Sequence, residues 1–231
     1  RLVQELVEEH GAQSLPDRKG LTPLLYAAQA GNVAMLSTLL DSSSGAHVNE
    51  ESPSSGARAL HLASQSGEYR AVRWLLSRAG IEPAARDHYG VNALHKAVAF
   101  GHVPVVQALL ADQRMPVDAP VEEPSVPSSY EAISGRETAL HLAAKHSYHF
   151  AHMAHTRLAE LLLHAGADPN ARCARGRTAA HHAAQAGNAG VIACLLGCAA
   201  TDWSARDLDG RTPRELAREK GHSDVLELLV A

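Results

Sequence analysis

Aromatic residues are scarce. Phe, Trp and Tyr make up 4% of the 231 residues, so large rings do not build this core and small apolar side chains must supply its packing. Cysteine is scarce too. The three cysteines, Cys173, Cys194 and Cys198, are an odd number that forms no disulfide framework, and without a signal peptide they predict an intracellular chain, cytoplasmic or nuclear. The longest apolar run, residues 190–200, falls short of the roughly 18 residues that suggest a membrane span, so no membrane insertion is expected. Basic charge is not in excess: 21 Lys and Arg against 25 Asp and Glu leave a net charge of −4. That balance argues against a general nucleic-acid binder, which needs a concentrated basic surface.

Signatures of catalysis are missing as well. The chain has no phosphate-binding G-x-x-x-x-G-K-[ST], no G-x-S-x-G, no H-E-x-x-H and no strand–glycine–helix dinucleotide fingerprint. The sequence therefore predicts neither enzyme nor cofactor.

What the chain has is an internal repeat. Leu21-Thr22-Pro23-Leu24-Leu25-Tyr26-Ala27 shares its pattern with Ala57-Arg58-Ala59-Leu60-His61-Leu62-Ala63 and with Val91-Asn92-Ala93-Leu94-His95-Lys96-Ala97. Glu137-Thr138-Ala139-Leu140-His141-Leu142-Ala143, Arg177-Thr178-Ala179-Ala180-His181-His182-Ala183 and Arg211-Thr212-Pro213-Arg214-Glu215-Leu216-Ala217 follow it too. Equivalent positions 24, 60, 94, 140, 180 and 214 are separated by 36, 34, 46, 40 and 34 residues. The unit is thus about 33 residues, lengthened by insertions.

Within each copy the order reads helix, stop, helix. Thr22, Asn92, Thr138, Thr178 and Thr212 suit helix N-caps, and Pro23 and Pro213 fit a first turn where no amide donor is needed. Gly31, Gly67, Gly101, Gly187 and Gly221 then end the first helix, and an apolar run such as Val105–Leu110 supplies the second.

These motifs, with Gly166-Ala167-Asp168-Pro169-Asn170, resemble the ankyrin-repeat family. The resemblance implies an all-α solenoid of stacked helix-turn-helix units with β-turn or hairpin tips. It also implies a protein–protein interaction module, scaffold or adaptor that binds a protein or peptide on a concave surface of tips and first helices. The alternative is a regulatory or substrate-recruiting domain of a larger enzyme or channel, for example a ubiquitin ligase adaptor. The chain reads as a single domain, monomeric as this segment: a partial N-terminal repeat over 1–16, then repeats at 17–52, 53–86 and 87–119. An acidic, proline-rich insert covers 120–135, repeat four covers 136–172 with a His-rich insert at 146–155, repeat five covers 173–206, and a capping repeat covers 207–231. Leu2–Val7 looks like a second helix lacking its first, so the chain is expected to begin inside a longer protein. Arg136-Glu137 is expected to lengthen the fourth turn.

The family's variable positions, carried over residue by residue, give candidate partner-binding residues. Repeat three concentrates large groups there, with His88, Tyr89, Val91 and Phe100; Lys19, Arg175, Arg177 and Arg211 add positive charge at other tips. An acidic segment on the partner is the matching expectation. His61, His95, His141 and His181 occupy a position where the family's imidazole bonds to neighbouring turn backbone, and Cys194 and Cys198 read as ordinary core thiols. His146, His149, His152 and His155 recur every third residue. On an α-helix adjacent members such as His149 and His152 could share a metal but all four could not, so the insert reads as a polar helix extension or loop.

Overall fold

The computed structural model describes residues 16–41, 46–122, 135–145 and 152–230, the side chains of 152 and 153 excepted. The partial repeat before residue 16, most of the proline-rich insert and His146 to Ala151, including His149, lie outside these residues.

Among the described residues the chain forms helices in pairs. The first helices are α1 (Pro23–Gln29), α3 (Ala59–Ser66), α5 (Ala93–Ala99), α7 (Ala139–Ala144), α9 (Ala179–Ala186) and α11 (Pro213–Lys220). The second helices are α2 (Val33–Asp41), α4 (Tyr69–Leu76), α6 (Val103–Leu110), α8 (His152–His164), α10 (Ala189–Leu196) and α12 (Ser223–Leu228). Each first helix packs on the next first helix and on its own partner, which makes two helical layers with one continuous core.

Local chemistry sets the element ends. Asn92 Oδ1 accepts from the His95 amide at 3.0 Å and Thr212 Oγ1 from the Glu215 amide at 3.3 Å, satisfying amides that the helices leave open. Gly67 and Gly187 end α3 and α9 at φ 78° and 71°, where a Cβ would come within 2.6 Å of the His102 and His222 rings. Those rings belong there, since each donates through Nε2 to the preceding repeat, at Gln65 O (2.9 Å) and Gln185 O (3.0 Å). Ala28, Ala63, Ala97, Ala143, Ala144, Ala183 and Ala184 are fully buried, so neighbouring helices lie close without large rings.

A second latch uses the first-helix histidines. His61, His95, His141 and His181 are buried, and each Nδ1 accepts a backbone amide from its own helix start. The proton therefore sits on Nε2, which in three of the four reaches the next unit, at Val91 O (3.1 Å), Arg177 O (3.0 Å) and Arg211 O (3.0 Å), while that of His95 bonds Ala119 O at 2.9 Å at the end of its own unit. Burial pushes the pKa down at all four, to about 4 for His61 and His95.

The fourth tip departs from expectation. Arg136 does not lengthen the turn. It stands two residues before its Thr cap, where other tips carry Gly20, Gly90, Gly176 and Gly210, and it takes their left-handed backbone at φ 64°. Val121 supplies the missing strand of that tip: its amide donates to Glu137 O at 2.7 Å and its carbonyl accepts from Arg136 at 2.9 Å. The chain thus leaves the tip at residue 122 and re-enters at 135 with the pairing intact. The end of the His-rich insert joins α8, where His155 is buried and its Nδ1 lies 3.2 Å from Ala143 O.

Candidate functional site

Hairpin tips are built around one residue five before the Thr or Asn cap. Where it is Asp, one carboxylate oxygen accepts two tip amides: Asp17 from Lys19 (2.8 Å) and Leu21 (2.9 Å), Asp87 from Tyr89 and Val91 (both 3.0 Å), Asp207 from Asp209 (3.0 Å) and Arg211 (2.9 Å). This fixes the tips and aims their middle residues outward.

At Asp17 and Asp87 the carboxylate's other oxygen looks to the first helix, nine residues on. Tyr26 donates to Asp17 Oδ2 at 2.7 Å and Lys96 Nζ stands 3.0 Å from Asp87 Oδ2. In repeat five the same pair is Cys173 and His182, with Sγ 3.8 Å from Nε2. Sequence reading missed this pairing, and the signal was the shared nine-residue spacing. Glu137, fully buried, adds its carboxylate to His182 Nε2 at 3.6 Å and is paired with Lys145. Burial holds His182 well below the usual histidine range, so its ring is neutral. Thiol and carboxylate both address the same ring nitrogen, so the trio cannot act as nucleophile, base and orienter, which needs the carboxylate on the other nitrogen. Among the described residues no group of three His, Cys, Asp or Glu side chains is placed to hold a metal ion.

The predicted binding residues divide into two sets. Tyr89 and His88 lie half-buried at the third tip, with Lys96 Nζ 5.9 Å from the Tyr89 ring centroid. Phe100, also half-buried, closes α5 and stacks on His102 with centroids 6.4 Å apart. The two aromatics bracket a helix about 10 Å long, at a rise of roughly 1.5 Å per residue. Lys19 and Arg175 are exposed at their tips.

Val91, Arg177 and Arg211 are placed differently from the expectation. At these three positions the carbonyl is held between the tip strand and the preceding repeat's imidazole, which turns the residue toward the stack. Val91 is 3% exposed for this reason: its carbonyl accepts from the Asp87 amide at 2.9 Å and from His61. Arg177 is 6% exposed and committed, with Nε 3.0 Å from Asp207 Oδ2 and Nη1 2.7 Å from Gln185 Oε1. Arg211 is half-buried and shared among Asp207, Asp209 and Glu219. Two exposed groups went unforeseen on this face, Tyr26 and the tip residue Leu208, the latter 78% exposed.

A rigid stack of paired helices, cross-latched through imidazoles and carrying tips whose outer residues vary from unit to unit, is a solenoid repeat protein, a class that works as a protein–protein interaction module. The comparisons with known proteins give the family. The profile described as ankyrin repeats (3 copies) matches residues 1–87, 45–120 and 148–231, and the chain belongs to the ankyrin-repeat family. The chain is 31% identical over 260 residues to the E3 ubiquitin-protein ligase KEG of Arabidopsis thaliana and 28% identical over 237 residues to mouse inversin, with 99% of the chain aligned to each. It spans only 16% and 20% of those two relatives. Among solved structures, the ankyrin repeat domain of Bcl-3, an IkappaB family member, superposes with a TM-score of 0.77 at 25% identity over 100% of this chain and 91% of that one. No helix among the described residues is long and apolar enough to cross a membrane.

Proposed function

We propose that this stack binds a protein or peptide partner on the concave face of tips and first helices, with repeat three as the anchor. The supporting observation is the Tyr89 and Phe100 pair. Both rings keep part of their surface outside the core, while the nearest charges, Lys96 and Asp87, are already paired with each other. Aromatic groups at the centre of a surface are favoured anchors because they gain large contact area with few rotatable bonds. Arg175 and Lys19 supply the exposed positive charge on this face and favour an acidic stretch flanking the anchor.

On this reading the chain is one domain with unit boundaries at 17–52, 53–86, 87–119, 136–172, 173–206 and 207–231. It acts as a monomer inside the cell, and its net charge of −4 argues against a general nucleic-acid binder. The free thiols of Cys173, Cys194 and Cys198 suit a reducing compartment.

The test is affinity capture with wild-type and Tyr89→Ala/Phe100→Ala baits, followed by titration calorimetry on a partner that the wild type retains. Each single substitution is expected to weaken binding by at least about 2 kcal/mol with the melting temperature preserved. Equal affinity of wild type and double variant for a captured partner removes repeat three from the interface.

A further inference from the structure

On the outer side of the stack, successive second helices lie side by side. Two of the grooves between them correspond position for position. The first, between α4 and α6, has a volume of about 630 Å³, and the other, between α8 and α10, about 650 Å³. Similar volume and matching positions make their chemical difference informative. Where α4 carries Tyr69 and Arg73, α8 carries Thr156 and Glu160; where α6 carries Gln107 and Ala108, α10 carries Ala193 and Cys194.

Charge at the two sites is used in opposite ways. Glu160 is matched by Arg157 at 2.8 Å, one helical turn away. In the first groove, Asp112 is held by Arg114 at 2.6 Å, and Arg78, just past the groove residue Ser77, is held by Asp41 of α2 at 2.9 Å. Arg73 has no carboxylate partner among the described residues: it lies 5.8 Å from the Tyr69 ring centroid and 3.5 Å from its hydroxyl. Arg73 is exposed, and exposed Arg70 adds a second cation at the i−3 position. Beside this charge lies apolar surface, with Tyr69 40% exposed and Leu76 and Ala108 in the floor. Eight residues of α4 make the groove about 12 Å long, which accommodates about two turns of a helix.

We propose that the α4–α6 groove is a second docking surface, independent of the concave face, for an acidic amphipathic segment of a partner protein. A carboxylate takes the fork of Arg73, and an apolar side chain on the same face packs on Tyr69 and Leu76. The α8–α10 groove, with Glu160 paired to Arg157 at the matching position, offers no cation for the same carboxylate and serves as a built-in control.

The probe is a fluorescein-labelled helical peptide of Glu, Ala and Leu with its leucines on one face, read by anisotropy at low ionic strength. The expected result is saturable one-to-one binding that weakens as salt rises. Arg73→Glu and Tyr69→Ala each reduce affinity tenfold or more, Arg73→Gln falls between, and Phe100→Ala on the concave face changes nothing. All three positions are exposed or half-buried, and far-UV circular dichroism checks that the four variants keep their helices. The proposal is overturned if the peptide does not saturate or if Arg73→Glu binds as wild type. It also falls if a polyglutamate without leucines, duplex DNA or phosphatidylserine vesicles bind through Arg73 as tightly as the peptide, since the groove is then a plain cationic patch.

Discussion

The first three repeats and the last three present the same backbone to the concave face and treat it differently. In the first half the tip carboxylates are answered singly, by Tyr26 and by Lys96, and aromatic rings remain at the surface. In the second half charge is turned inward and linked: Lys145 to Glu137, Glu137 to His182, Arg177 to Asp207, Asp207 to Arg211 and Arg211 to Glu219. The lesson is that a side chain's place in the repeat fixes where it stands but not whether it is free. Arg175 and Arg177 are two residues apart, yet one faces solvent and the other is sealed against Asp207.

The sharpest way to break this comparison is to remove the same tip carboxylate from each half. Asp207→Ala takes the nearer carboxylate from Arg177, whose side chain is 7% exposed, leaving it Asp209 at 3.9 Å, and should cost about 3 kcal/mol in urea unfolding, the low end for a buried charge that loses its partner. Asp17→Ala removes bonds at an exposed site, where solvent replaces them, and should cost far less. Equal losses would erase the distinction between the halves.

Acid is the next probe. The imidazole latches work only when neutral, since a proton on Nδ1 would face an amide hydrogen. Their folded pKa values lie below the ordinary 6.5, so the stability they contribute is complete above pH 6.5 and is lost as pH falls toward the folded value. For His61 and His95, at about 4, the loss approaches about 3 kcal/mol each by pH 4. Denaturant midpoints measured from pH 8 to 4 should fall below 6.5, and less so in His95→Gln; a flat profile contradicts the assigned tautomers.

The smallest effect tests the fourth tip. Arg136→Gly relieves a left-handed backbone that costs a residue with a Cβ roughly 1 to 2 kcal/mol, against the extra freedom glycine gains when unfolded. A net gain of about 0.5 to 1 kcal/mol is expected, read as a raised melting temperature. The same exchange at Gly176→Arg should destabilise.

Much of the fold was legible because it repeats. The six motif copies, the glycine stops and the imidazole positions recur at fixed offsets, and each offset has a mechanical reason in the helix pair. The site was legible only in part. Turn residues have no helical or strand period, so nothing in the order Asp87-His88-Tyr89-Gly90-Val91 says that Val91 points inward while Tyr89 does not. Long-range pairing was equally hidden: Arg177 meets Asp207 across 30 residues, a contact that exists only once neighbouring units stack. Arg136 was misread because its neighbour Gly135 looked like the turn glycine, whereas the backbone places Arg136 itself in the left-handed position.

The first unit has Leu25 where later ones have an imidazole, so no ring ties it to the second. A tip bond from Ser54 Oγ to Lys19 O at 2.9 Å crosses that joint instead. In a stack where each unit touches only its neighbours, rigidity is a property of individual joints. The strength of this joint therefore rests on polar bonds near the surface, Arg78 to Asp41 among them, and it yields to salt where the imidazole-latched joints yield to acid.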